Sequence, residues 1–125
     1  MIQVLHIDHV ALSVRDLSAS EAWYRRHLGL ERRHADLWDG PPVMMGAGDT
    51  CLALFQAEGG EGGGTPAVRV LHLAFRTDAA GFRAARLHLK DEGIAHREVQ
   101  HENCWSLYFA DPDGHKLEVT SYEEP

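Results

Sequence analysis

Cysteine is scarce: Cys51 and Cys104 are the only two in 125 residues. They stand far apart and outside any CxxC spacing, which argues against a disulfide framework and a thiolate zinc site and leaves two reduced, largely buried thiols. Long hydrophobic runs are also missing, and no apolar stretch approaches membrane-spanning length. The start, Met1-Ile2-Gln3-Val4-Leu5-His6-Ile7-Asp8, has no basic n-region and meets acid and histidine too early for a signal peptide. The expectation is a cytoplasmic protein with no membrane partner. Positive charge is in short supply as well, with 12 Lys and Arg against 19 Asp and Glu and a net charge of −7. The cations are scattered singly or in pairs, so no basic stripe follows a phosphate backbone and nucleic acid is not an expected partner.

Histidine, in contrast, is abundant, with nine in the chain. A chain of this length can bury about two thirds of its unfolded surface, enough for one ordinary domain spanning 1–125. The Gly-rich stretch at 58–66 reads as a linker near the middle, between a first module at about 4–57 and a second at about 67–122. The two sides look alike. Val10 to Val14 reads as a strand, Ser18-Ala19-Ser20-Glu21 as a capping box, and the helix it opens ends at Gly29. Leu71 to Thr77 reads as a strand, with a helix from about Asp78 closed by Gly93. Three short β-like runs follow each helix, near 31–37, 43–46 and 50–56, and near 95–99, 105–109 and 116–121. The fold class is therefore α+β, two tandem βαβββ modules. His9 maps to His72, Gly29 to Gly93 and Leu52 to Leu117 at offsets drifting from 63 to 65, as small loop differences would produce. Two copies fall short of a solenoid, so a closed pair of modules fits better.

Alternation along the strands then sorts side chains by face. Val10, Leu12 and Val14 point one way and His9, Ala11 and Ser13 the other; Leu71, Leu73 and Phe75 oppose His72, Ala74 and Arg76. In the last strand Leu117 and Val119 oppose Lys116, Glu118 and Thr120. The bulky apolar side packs on the helices, and the other side forms a cavity wall. His9, His72 and Glu118 then form a two-histidine, one-carboxylate set for one divalent metal ion per site, suited to Fe, Mn, Zn, Ni or Co. Glu118 maps to Ala53, which cannot bind metal, so a coordination position stays open to substrate, water or dioxygen. The remaining histidines His6, His27, His34, His88, His96 and His115 are expected at the surface. Arg76 can pair with an anionic substrate group or with an acidic residue at the rim.

Asp8-His9-Val10-Ala11-Leu12, the helix from Ala22 to Leu30, Leu71-His72-Leu73-Ala74-Phe75, and above all Tyr108-Phe109-Ala110-Asp111-Pro112-Asp113-Gly114-His115-Lys116-Leu117-Glu118 resemble the vicinal oxygen chelate superfamily. That superfamily includes glyoxalases, bleomycin-resistance proteins, fosfomycin thiol transferases and extradiol dioxygenases. The resemblance implies sheets curved into an open half-barrel around the metal, a small substrate chelating it through vicinal oxygens, and a homodimer. Modules pair within one chain or swap between two. Ala53 in place of a fourth ligand argues against glyoxalase-like isomerase chemistry. Tyr108, ten residues before Glu118, resembles the tyrosine of the three-ligand branches, and His101 before it matches the extradiol spacing, so both are candidate catalytic residues. The preference is extradiol dioxygenase-like chemistry, although Leu54-Phe55-Gln56-Ala57 lacks the histidine those enzymes place there. Ala11 and the absence of a basic extension depart from the fosfomycin transferases. A non-catalytic drug-binding protein is the alternative class, with Trp38, Trp105 and Phe55 lining an aromatic cleft; the same residues, Arg76 and Ser106 are the candidate substrate contacts.

Overall fold

Each half of the chain folds as strand, helix and three further strands in the computed structural model, which describes residues 1, 3, 5–36, 40–57 and 70–125. The first unit, Met1–Gly64, carries β1 (Val10–Val14), α1 (Leu17–Leu28), β2 (Glu31–Arg33), β3 (Val43–Ala47) and β4 (Thr50–Gln56). The second, Thr65–Pro125, carries β5 (Leu73–Arg76), α2 (Ala79–Asp91), β6 (Arg97–Gln100), β7 (Trp105–Ala110) and β8 (Lys116–Ser121). The sheets run β1-β4-β3-β2 and β5-β8-β7-β6. The α+β reading with βαβββ twice is borne out. Trp38 and the Gly-rich linker lie outside the described residues.

The duplication extends to register. β1 lies parallel to β4 with Val10 opposite Leu52 and Ala11 opposite Ala53. β5 lies parallel to β8 with Leu73 opposite Leu117 and Ala74 opposite Glu118. A helix must intervene in each case, because parallel neighbours cannot be joined by a tight turn. The remaining two strands of each unit add as antiparallel neighbours.

Helix boundaries follow local chemistry. The cap of α1 is Asp16, two residues before the capping box read at Ser18: the Asp16 carboxylate accepts from the Ala19 N–H at 2.9 Å. Ser18 and Ser20 are instead inside the helix, and Ser20 is buried in it. Asp has one residue of extended backbone here and satisfies a free helical N–H, which is what an N-cap requires. In α2 Asp78 does the same for Gly81 at 2.7 Å. A Cβ at Gly81 would press on the Thr77 side chain, so that cap needs glycine. Gly29 and Gly93 end the helices at φ 63° and 65°, left-handed conformations that glycine adopts without strain.

The strand read at 31–37 stops at Arg33, because His34 takes φ 59° and turns the chain out of the extended region. β6 begins at Arg97 rather than 95. Leu71 precedes β5 and is exposed, so the apolar face of that strand starts at Leu73.

α1 packs on β3 and β4 and α2 on β8. The first unit's core is Val14, Tyr24, Leu30, Met45, Leu52 and Leu54, and the second's is Phe82, Leu89, Leu107 and Leu117. Each such side chain stabilises by about 1.5–3 kcal/mol relative to exposure. Burial alternates along β1 and β5, whereas in β3, β4 and β8 it runs through consecutive residues, at 43–46, 52–54 and 117–121. Among the described residues no helix is long and apolar enough to cross a membrane.

Arg86 on α2 donates two hydrogen bonds to Glu98 on β6, at 2.8 and 2.6 Å. That bidentate contact holds the Glu98 carboxyl below its ordinary value. Both side chains are more than a third exposed, so solvent screening limits the pair to about 1 kcal/mol or less. Because the folded value is the lower one, the contribution is present at neutral pH and is lost as pH falls through it. Glu98→Gln is expected to lower stability by about 0.5–1 kcal/mol at neutral pH and by nothing in strong acid, measured by urea titration at both.

Candidate functional site

The second sheet brings four residues onto one rung. Ala74 on β5 faces Glu118 on β8, Glu118 faces Tyr108 on β7, and Tyr108 faces Arg97 on β6. Adjacent strands are about 4.8 Å apart and opposite residues share a face, so these side chains project together. Ser106 opposite Thr120, and Ala110 opposite Lys116, extend that face along the strands. His72, two residues before Ala74, points the same way by alternation.

Around this rung the contacts are short. His72 Nε2 lies 3.0 Å from Glu118 Oε2, with the carboxylate buried and the imidazole partly open. The Ser106 hydroxyl donates to Glu118 Oε1 at 2.6 Å. Tyr108 and His101 are hydrogen-bonded, hydroxyl to Nε2, at 3.0 Å. The Tyr108 ring also meets the His72 ring edge-on at 6.1 Å between centroids and carries the Arg97 guanidinium 5.5 Å from its centre. His72 thus meets Glu118 through its Nε2 and Tyr108 through a ring contact, and Tyr108 meets His101 through its hydroxyl. Among the described residues no buried side-chain nitrogen or oxygen lacks a partner.

The turn before β8 delivers Glu118 to this position. Asp111 is buried, and its Oδ1 accepts from the Asp113 and His115 N–H groups at 2.9 and 2.8 Å. Gly114 completes the turn at φ 86°. Asp111 ties this turn together in the side-chain-to-backbone manner typical of aspartate. An open pocket of about 470 Å³ adjoins this turn, lined by Val70, Leu71, His72, Gly114, His115 and Lys116.

In the first unit the corresponding rung reads Ala11, Ala53, Met44 and Arg33, without a carboxylate. His9 is partly exposed, and its Nδ1 is 2.7 Å from Asp8 Oδ2. The hydrogen bond to His9 holds the Asp8 carboxyl below the usual range. Burial pushes the Cys51 thiol up from its ordinary value. Phe55 is exposed opposite Ser13 on the same face as Ala53.

Of the other residues singled out from sequence, Arg76 lies opposite Thr120 and its guanidinium sits 5.1 Å above the Tyr122 ring. Trp105 lies opposite Ser121, on the face away from Glu118. His72, Glu118, Tyr108, His101 and Ser106 are brought together. Among the described residues no group of three His, Cys, Asp or Glu side chains is gathered for a metal ion. Arg97, Asp8 and Asp111 were not anticipated. Their signals were an arginine in the alternation of β6, an aspartate directly before His9, and the Asp-x-Asp-Gly pattern of an aspartate-bound turn.

Two βαβββ units with matched registers define a protein of the paired-module class. The chain belongs to the Glyoxalase/Bleomycin resistance protein/Dioxygenase superfamily, whose family model matches residues 6–119. It is 29% identical over 113 residues to a glutathione transferase FosA of Serratia marcescens, covering 90% of this chain and 78% of that protein. Among solved structures it resembles a lactoylglutathione lyase from Agrobacterium tumefaciens, with TM-score 0.72, 25% identity, and coverage of 93% and 92% of the two chains. It likewise resembles a glyoxalase/dioxygenase from Nostoc punctiforme, with TM-score 0.76, 25% identity, and coverage of 100% and 99%.

Removing the turn's organiser leaves two backbone donors without their acceptor. Asp111→Ala is expected to cost about 1.5–3 kcal/mol, the range for hydrogen bonds to a charged group. Equilibrium unfolding in urea reads this directly; a change under about 0.5 kcal/mol, within ordinary surface-substitution scatter, would deny Asp111 that role.

Proposed function

We propose that this protein is a metal-dependent enzyme that acts on a small substrate presenting two neighbouring oxygens to one divalent ion, with His9, His72 and Glu118 as protein ligands. The observation that carries this reading is the 3.0 Å approach of His72 Nε2 to Glu118 Oε2 on the face that also holds Tyr108. An imidazole nitrogen and a carboxylate oxygen directed at each other are a donor set that fits such an ion, which replaces the proton they share. Asp8 at Nδ1 of His9 supports its Nε2 as the third ligand, since a carboxylate on one ring nitrogen orients the other. When bound, the ion supplies Lewis acidity toward a chelating substrate.

The protein's own groups then do the remaining work. Tyr108 hydroxyl can donate its proton to a substrate oxygen and recover one through His101 Nε2, making the two a general acid–base pair. Arg97 and Lys116 offer positive charge to an anionic part of the substrate, and Arg76 and Phe55 are further candidate contacts, along with Trp38. Extradiol-type oxidation of a catechol is the preferred chemistry, because it uses a histidine–tyrosine pair of this kind. Glutathione transfer is the second reading, supported by the 29% identity to the Serratia marcescens enzyme. The edge strands β1 and β5, flanked by exposed Leu5, Ile7, Val70 and Leu71, support assembly as a homodimer.

Protein purified without chelator is expected to carry a divalent metal by elemental analysis, and Glu118→Gln to lose most of it while keeping the fold. Unchanged stoichiometry in that variant would remove Glu118 from the site. Catechol-dependent oxygen uptake against glutathione consumption separates the two reactions. Tyr108→Phe should retain the metal and lower kcat by about 100-fold or more, the ordinary worth of a proton-transferring group. A Tyr108→Phe enzyme with wild-type kcat would leave the phenol a packing role only.

A further inference from the structure

Ser106 is the most deeply buried polar side chain near Glu118, with no exposed surface at all. It stands opposite Thr120, one diagonal step from the Tyr108–Glu118 pair. Its hydroxyl carries a single proton, and two acceptors are in range: Glu118 Oε1 at 2.6 Å and Thr120 Oγ1 at 3.5 Å. The Thr120 hydroxyl spends its own proton on the Trp105 carbonyl at 3.2 Å. The short, charge-assisted contact to the carboxylate takes the serine proton. One carboxylate oxygen is thereby occupied, and the other, Oε2, is the one that faces His72.

From this geometry we infer that Ser106 is a positioning residue that restricts Glu118 to metal ligation through Oε2 alone, rather than a substrate contact. This rests on the reading of Glu118 as a ligand. A hydroxyl with no exposed surface, already committed to a neighbouring carboxylate, has no proton left for a substrate. The first unit offers an internal comparison. Met44 opposite Ala53 repeats Tyr108 opposite Glu118, so the counterpart of Ser106 is Pro42. The half without the carboxylate also lacks the hydroxyl, as expected of a donor whose task is that carboxylate.

A positioned ligand also keeps coordination positions open. Carboxylates bind metals through one oxygen or two, and one-oxygen ligation leaves a further position for a chelating substrate. Outer partners of this kind commonly change metal affinity by about 10- to 100-fold.

The test uses the intact protein with Co(II) alone, read by isothermal titration calorimetry and by the visible absorption of the bound ion. Ser106→Ala is expected to weaken Co(II) binding about tenfold or more. Its absorption should also lose intensity, as the freed Oε1 enters the coordination sphere and raises the coordination number. Ser106→Cys, which keeps the volume and a weaker donor, should fall between the two and carries the test if the alanine variant does not fold. Thr120→Val keeps the packing of the same buried face and should bind as wild type does. Wild-type affinity and spectrum in both Ser106 variants would overturn the inference, as would an equal loss in Thr120→Val. A wild-type protein that takes up no ion would overturn the metal reading itself, and this inference with it.

Discussion

A carboxylate buried in a sheet face is the constraint around which the second unit is arranged. Removing an ion of that size from water costs several kcal/mol unless hydrogen bonds and opposite charge replace its hydration. Glu118 recovers that cost from two sides, through the Ser106 hydroxyl on Oε1 and the His72 imidazole on Oε2. Both partners are available only because β8 is a central strand. It pairs with β5 on one side and β7 on the other, so side chains from two neighbouring strands converge on one position. The aspartate-bound turn at Asp111 sets the β7–β8 register that makes the convergence possible.

Duplication supplies the frame and divergence the chemistry. The rungs Ala11, Ala53, Met44, Arg33 and Ala74, Glu118, Tyr108, Arg97 have the same backbone pairing in both units. Register is set by backbone hydrogen bonds and by the alternation that buries one face, neither of which depends on the side chain at the rung. That leaves the face away from the helices free to vary. One half spends its central position on alanine and the other on a charged residue with its own hydrogen-bond donor.

Much of this was legible beforehand. The helices announced themselves through Gly29, Gly93 and Asp78, and the strands through period-2 alternation, because each signal reflects a local requirement on φ, capping or burial. The start of α1 was misplaced by two residues, since Ser18 and Asp16 are both good caps and only the three-dimensional path of the chain after β1 chooses between them. β2 proved shorter than its sequence pattern, because polar β-like residues continue past the left-handed turn at His34. Ser106 was recognised as a residue of the site, but its contact with Glu118 was not, because a diagonal approach across an antiparallel pair depends on the register between residues twelve apart in the chain.

From the chain alone came the repeat, the α+β class, the faces of the strands, and the residue types able to bind a metal or move a proton. Each follows from local spacing, which linear order preserves. The tertiary structure decided which of those residues meet: that His72 reaches Glu118, that Tyr108 engages His101, that Trp105 faces away, and that Ser106 spends its proton on a carboxylate. Those outcomes depend on strand pairing between distant segments, where a shift of one residue would turn every side chain to the opposite face.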